Sequence, residues 1–119
     1  MDDEIDFVNL LQQYLTKVGY KVAAFTDPLK GIEYIQSNKF EYLIVIVDWR
    51  MPDINGLIFA NQIRLLNNMV KIVMLTAYDI GIVKKQPEYK TAELDQILQK
   101  PVKLLFLKNL LKEMTDNKF

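Results

Sequence analysis

The chain has 119 residues, half of them apolar and a quarter charged, with fifteen basic residues balanced by fifteen acidic ones. That is one domain's worth of core, and the neutral balance leaves no electrostatic footprint for nucleic acid or an anionic membrane. With no cysteine and no histidine, disulfides, thiol nucleophiles, Ser-His-Asp mechanisms and phosphohistidine carriage are excluded. What remains is chemistry on carboxylates, hydroxyls, Lys and Arg, around a hard cation if any. No apolar run has the length of a membrane span and no signal peptide opens the chain, so the expected location is cytoplasmic.

In chain order, Phe7, Leu11, Leu15 and Val18, with Val8 and Tyr14 beside them, form one face of a helix over about Glu4–Val18. Gly19 suits the position just past its end. Tyr20–Phe25 is expected to be a short strand. Asp27-Pro28 then follows the N-cap and first-turn preference, and Leu29, Ile32 and Ile35 carry a second helix to about Gln36. Leu43-Ile44-Val45-Ile46-Val47 is a continuous, mostly β-branched run, as in a strand buried on both faces of a parallel sheet.

That run ends on Asp48, and the Pro/Asn/Gly turn after it leads to a helix holding Ile58, Phe59 and Ile63. Val70–Leu75 is a further strand, ending at Thr76. Between Ala77 and Asp95, Pro87 permits only a short or broken helix. Ile97-Leu98 marks a brief strand that stops at Lys100-Pro101. Leu104, Leu107, Leu110, Leu111 and Met114 form the face of a last helix. The order α-β-α-β-α-β-(α)-β-α predicts a doubly wound α/β domain with a parallel sheet and right-handed crossovers.

Asp48, Thr76 and Lys100 each close a predicted strand, so parallel strands gather them on one sheet edge, where open α/β sheets bind ligands. Asp2 and Asp3 precede the first helix, on that same edge if a strand leads into it. Three crowded carboxylates repel unless a cation holds them, which points to Mg²⁺ bound through a few carboxylates and several waters. Lys and Thr beside such a site can meet the oxygens of a phosphoryl group. A carboxylate can also act as nucleophile, so phosphoryl transfer to Asp48 fits. Taken singly, each residue is ordinary: Asp2 or Asp3 can cap a helix, Thr76 can be a strand-end hydroxyl, and Asp53 and Asn55 are turn formers.

Together these residues resemble the receiver domain of bacterial and archaeal response regulators, the CheY-like fold, over nearly the whole chain. Asp2-Asp3-Glu4 is similar to the family's acidic pair, and Asp48 with Met51-Pro52 and Gly56 to its phosphoacceptor signature. Thr76-Ala77 and Lys100-Pro101 are similar to its hydroxyl and lysine motifs. The resemblance implies a single receiver domain over 1–119, flavodoxin-like, with strand order 2-1-3-4-5. It implies Asp48 as phosphorylation site, with Asp3, Asp48 and the Arg50 main-chain carbonyl binding Mg²⁺ and Asp2 acting through water. Thr76 and Lys100 would bind the phosphoryl oxygens and carry the switch, and Lys100-Pro101 is a candidate cis peptide.

The chain departs from the family in three places, one of them Pro87 with the longer Ala77–Lys100 interval, where the fourth helix is expected to differ. Ile97 stands three before the lysine, where the family usually has Tyr or Phe, so output coupling through that residue is expected to differ. The family's apolar first strand leads into the acidic pair, whereas only Met1 precedes Asp2 here. Strand 1 is therefore expected to be missing or truncated, with an unpaired apolar edge on Leu43–Val47. A sequence that begins too late is the expected cause, and a chain starting at Met1 is expected to be an unstable monomer or a homodimer that exchanges the first helix and second strand.

The expected function is a phosphorylation-activated switch in a two-component phosphorelay. A sensor histidine kinase or phosphotransfer protein would be its phosphodonor and a downstream protein its target, with no direct nucleic-acid or membrane partner. It would be no enzyme beyond catalysing its own phosphorylation and dephosphorylation. The alternative is a degenerate receiver that acts as a phosphorylation-independent interaction module. An Asp-nucleophile phosphohydrolase of the haloacid-dehalogenase kind wants a second carboxylate two residues after the nucleophile, and Arg50 stands there.

Overall fold

The computed structural model describes residues 3–37, 44–49 and 55–116, with side chains from residue 6 to residue 115 over those spans. Its helices are α1 (Asp3–Lys17), α2 (Pro28–Ser37), α3 (Gly56–Leu66), α4 (Ile80–Lys84), α5 (Tyr89–Ala92) and α6 (Leu104–Asp116). The strands β1 (Ile44–Asp48), β2 (Lys71–Thr76) and β3 (Gln96–Gln99) form one parallel sheet in the order β1-β2-β3. In its register Val45 faces Ile72, Asp48 faces Leu75, and Thr76 faces Gln99.

Strand alternation divides the core between the two faces of this sheet. Val45 and Val47, Ile72 and Met74, and Ile97 pack on one face with Leu57, Phe59, Ala60 and Ile63 of α3 and with Ile32 and Ile35 of α2. Ile44 and Ile46, Val73 and Leu75, and Leu98 pack on the other with Leu11 and Leu15 of α1 and with Leu107, Leu111 and Met114 of α6. The result is the expected α/β domain, with helices on both faces of an open parallel sheet.

Local chemistry explains the helix starts. The Asp27 carboxylate accepts from the Leu29 amide at 3.0 Å, and Pro28 fills the first helical position of α2. Asn55, read from sequence as a turn former, is the N-cap of α3, its side-chain oxygen accepting from the Ile58 amide at 2.9 Å. Asp79 caps α4 through the Gly81 amide at 2.7 Å. Pro87 separates α4 from α5, which is the broken helix expected there.

Arg64 holds that broken region in place. Its guanidinium donates to the carbonyls of Val70, Ala92 (3.0 Å) and Glu93 (2.6 Å), and pairs with the Asp95 carboxylate at 3.2 Å. The same Asp95 oxygen accepts from the Ile72 amide at 2.7 Å. Five donors in a rigid fork let one side chain close α3, the end of α5 and the starts of β2 and β3 together.

One expected element differs. Tyr20–Phe25 joins no ladder among the described residues. A strand needs a hydrogen-bonding neighbour, and β1 pairs with β2 alone among these residues. Tyr20–Phe25 and β1 instead both line a cavity of about 270 Å³, together with Leu11, Leu15 and Leu75. Correspondingly, Ile44, Val45 and Ile46 are only half-buried, while β2 is buried from Ile72 through Thr76.

Candidate functional site

Two backbone hydrogen bonds extend the register past the strand ends: the Trp49 amide donates to the Leu75 carbonyl at 2.8 Å and the Lys100 amide to the Thr76 carbonyl at 2.7 Å. The Gly56 amide fastens the start of α3 to the Trp49 carbonyl at 2.8 Å. Asp48 and Thr76, which end β1 and β2, and Lys100, which follows β3, therefore come to a common edge.

Asp48 and Lys100 meet there. The Lys100 Nζ donates to Asp48 Oδ2 at 2.6 Å, and the two side chains keep 24% and 22% of their surface, Asp48 the former. A pair so placed is neither sealed in the core nor freely solvated. It is held by the fold yet open to a ligand arriving at the sheet edge. The Lys100-Pro101 peptide is cis. The Lys100 ammonium also stands 5.1 Å from the centre of the Phe7 ring, one turn into α1.

Thr76, at the end of the adjoining strand, is fully buried. Its hydroxyl accepts from the Tyr78 amide at 2.9 Å, an interaction of the turn that follows β2. Trp49 is buried on the α2–α3 face of the sheet, one residue from Asp48. Gly56 is forced by proximity: a Cβ there would stand 2.4 Å from the Asp48 carbonyl oxygen and 2.8 Å from the Met74 methyl.

Asp2, the Arg50 carbonyl and the side chain of Asp3 lie outside the described residues; Asp3 is placed only as the first residue of α1. Among the described residues no group of three or more acidic or other ligating side chains converges. The donor chemistry available at Asp48 is a part-exposed carboxylate at a strand end, which suits a hard, oxygen-seeking cation such as Mg²⁺. Phe7 was legible only as part of a helical face, because nothing in the local sequence signals that its ring meets Lys100.

A strand-end Asp–Lys pair thus lies on an open parallel sheet, with a buried threonine on the adjoining strand. A family model described as the response regulator receiver domain matches residues 1–112, and the chain belongs to that family. It is similar to the response regulator RppA of Synechocystis sp., 31% identical over 101 residues that cover 85% of this chain and 42% of that protein. It is also similar to the transcriptional regulatory protein ZraR of Escherichia coli, 27% identical over 99 residues covering 83% of this chain and 22% of that one. The chain thus spans less than half the length of these curated relatives. The solved chemotaxis protein CheY4 of Vibrio cholerae superposes with a TM-score of 0.82 at 25% identity, over 95% of this chain and 92% of that one.

Receiver domains are signalling domains whose own chemistry is in general limited to their phosphorylation and dephosphorylation, and they generally bind Mg²⁺ for it. Response regulators are phosphorylated by histidine kinases and act on downstream targets. No described helix is long and apolar enough to cross a membrane.

Proposed function

We propose that this chain is a single receiver domain that works as a phosphorylation switch in the cytoplasm, with Asp48 as the phosphoacceptor. The observation that carries the reading is the 2.6 Å contact between Lys100 Nζ and Asp48 Oδ2 at the converging ends of β3 and β1. A carboxylate oxygen of Asp48 attacks the phosphorus of a phosphohistidine on a sensor kinase or phosphotransfer protein. The new O–P bond forms as the P–N bond breaks, and the electron pair leaves with the imidazole, which takes up a proton. The product is an acyl phosphate on Asp48.

Lys100 turns from the carboxylate to a phosphoryl oxygen, and the Thr76 hydroxyl, whose O–H points at the Tyr78 carbonyl at 3.4 Å while it accepts from the Tyr78 amide, turns that O–H to donate to another phosphoryl oxygen. That exchange moves the turn after β2 and changes the surface a downstream protein reads. Asp2, Asp3, Asp48 and the Arg50 carbonyl would hold Mg²⁺. When bound, the ion neutralises phosphoryl charge in the transition state.

A second reading, a phosphorylation-independent interaction module, is favoured by Ile97, which packs with the α3-side core where the family usually carries an aromatic. Trp49 emission separates the two. The switch reading requires a change with Mg²⁺ and a further change with beryllofluoride, both abolished in Asp48→Asn. A response to Mg²⁺ alone supports the module, and no response to either ligand in folded protein overturns the switch.

A further inference from the structure

Phe7 is the one aromatic contact made by the site's ammonium group among the described residues. It lies on α1, half-buried, against the core that α1 shares with α6, and it lines the same cavity as Asp48. The face of an aromatic ring attracts a cation within about 6 Å of its centroid, and here the separation is 5.1 Å. Lys100 thus has two contacts, the Asp48 carboxylate at 2.6 Å and the ring.

The two contacts differ in kind. The carboxylate offers lone pairs and is itself the group that reacts. The ring offers a diffuse negative face, carries no net charge and accepts no strong hydrogen bond. A second carboxylate in the position of Phe7 would compete with an arriving phosphoryl oxygen for the ammonium and would repel the phosphoryl group. The ring does neither. It confines a flexible four-carbon side chain while leaving its hydrogen-bond donors free to turn from Asp48 to the incoming oxygen.

We infer that Phe7 is a positioning residue for phosphoryl transfer, holding the Lys100 ammonium at the site through its ring face while the ammonium changes its oxygen partner. This rests on the reading of Asp48 as phosphoacceptor, and its consequence is quantitative. A cation–π contact at a partly exposed site is of a size that alters a rate by about two- to fivefold.

The test places 4-fluoro-, 3,5-difluoro- and 3,4,5-trifluorophenylalanine at position 7, which drain the ring face in steps at nearly constant shape. Phosphorylation by acetyl phosphate with Mg²⁺ is followed by intact mass. The initial rate is expected to fall stepwise across the series. Phe7→Leu should match the trifluoro ring within error, and Phe7→Trp should restore the rate. A rate independent of fluorination, with Phe7→Leu as fast as the parent, overturns the role. A parent protein that takes up no phosphoryl group overturns the phosphoacceptor reading instead. The contact itself is read without ligand: ring-current shifts of the Lys100 ε-methylene protons should be present in the parent and lost in Phe7→Leu. Their absence in folded parent protein overturns the inference independently of any chemistry.

Discussion

Gly56 and Asp48 touch through their backbones: a single Cβ added at Gly56 would stand 2.4 Å from the Asp48 carbonyl oxygen. The first turn of α3 therefore rests directly on the end of β1, and the position of the Asp48 side chain depends on a residue that contributes no side chain. Relief by moving the Met74 methyl, 2.8 Å away, leaves the carbonyl clash in place. Gly56→Ala should destabilise the fold by about 1–3 kcal/mol, the usual cost of overpacking. It should also lengthen the Asp48–Lys100 contact. Denaturant melts read the first effect and loss of the beryllofluoride response reads the second. Unchanged stability would mean that α3 slides freely on β1.

Removing the ammonium tests the electrostatics of the pair. In Lys100→Met the Asp48 carboxylate loses its cationic neighbour and a competitor for metal disappears. Mg²⁺ affinity, read by Trp49 emission, should hold or rise. Beryllofluoride affinity should drop at least about tenfold, the weight of one charge-assisted hydrogen bond. Equal loss of both affinities would show Lys100 to be structural only.

Arg64 makes a prediction far from the site. Its side chain is 10% exposed and binds the backbone carbonyls of Asn68, Val70, Ala92 and Glu93 besides the Asp95 carboxylate. Arg64→Ala should cost about 3 kcal/mol, since hydrogen bonds to charged groups are worth roughly 1.5–3 kcal/mol and buried acceptors are left unpaired. Arg64→Lys should recover little, because an ammonium cannot reproduce the fork. Comparable stability of Arg64→Lys and the parent protein would count against the fork as the source of this effect.

Arg64 also marks where the sequence stopped being readable. β1, β2 and β3 were legible because each is a short apolar run ended by a turn residue, and the parallel order then placed Asp48, Thr76 and Lys100 on one edge. The region from Ala77 to Asp95 was not, since its path is set by bonds from Arg64 and from Asn61, whose amide donates to the Glu88 carbonyl at 3.0 Å. Such long-range side-chain bonds leave no periodic signal. Tyr20–Phe25 misled for the opposite reason. Its composition is that of a strand, but pairing is a property of two segments, and no described neighbour completes it.

The segment Tyr20–Phe25 carries the last prediction. The cavity of about 270 Å³ lined by Tyr20–Phe25 and β1 has apolar walls from Leu11, Leu15, Val22, Ile44 and Ile46, and β1 pairs with β2 on one side among the described residues. The site end of β1 is also where α1 begins, because Phe7 reaches Lys100 there. An apolar segment fused directly ahead of Met1, of the type Ile-Leu-Ile-Val, can therefore run alongside β1 in the parallel sense and end at the acidic pair. Each aliphatic side chain buried contributes roughly 1.5–3 kcal/mol, against about 1–2 kcal/mol per residue to order the backbone. The net expectation is about 2–4 kcal/mol, or roughly 10 °C in Tm. Slowed exchange should follow in the β1 amides that do not bond β2. A Ser-Gly-Ser-Gly extension of the same length should leave Tm unchanged. If the unextended chain melts cooperatively as a monomer at the same temperature as the apolar fusion, the cavity is not a strand-shaped gap.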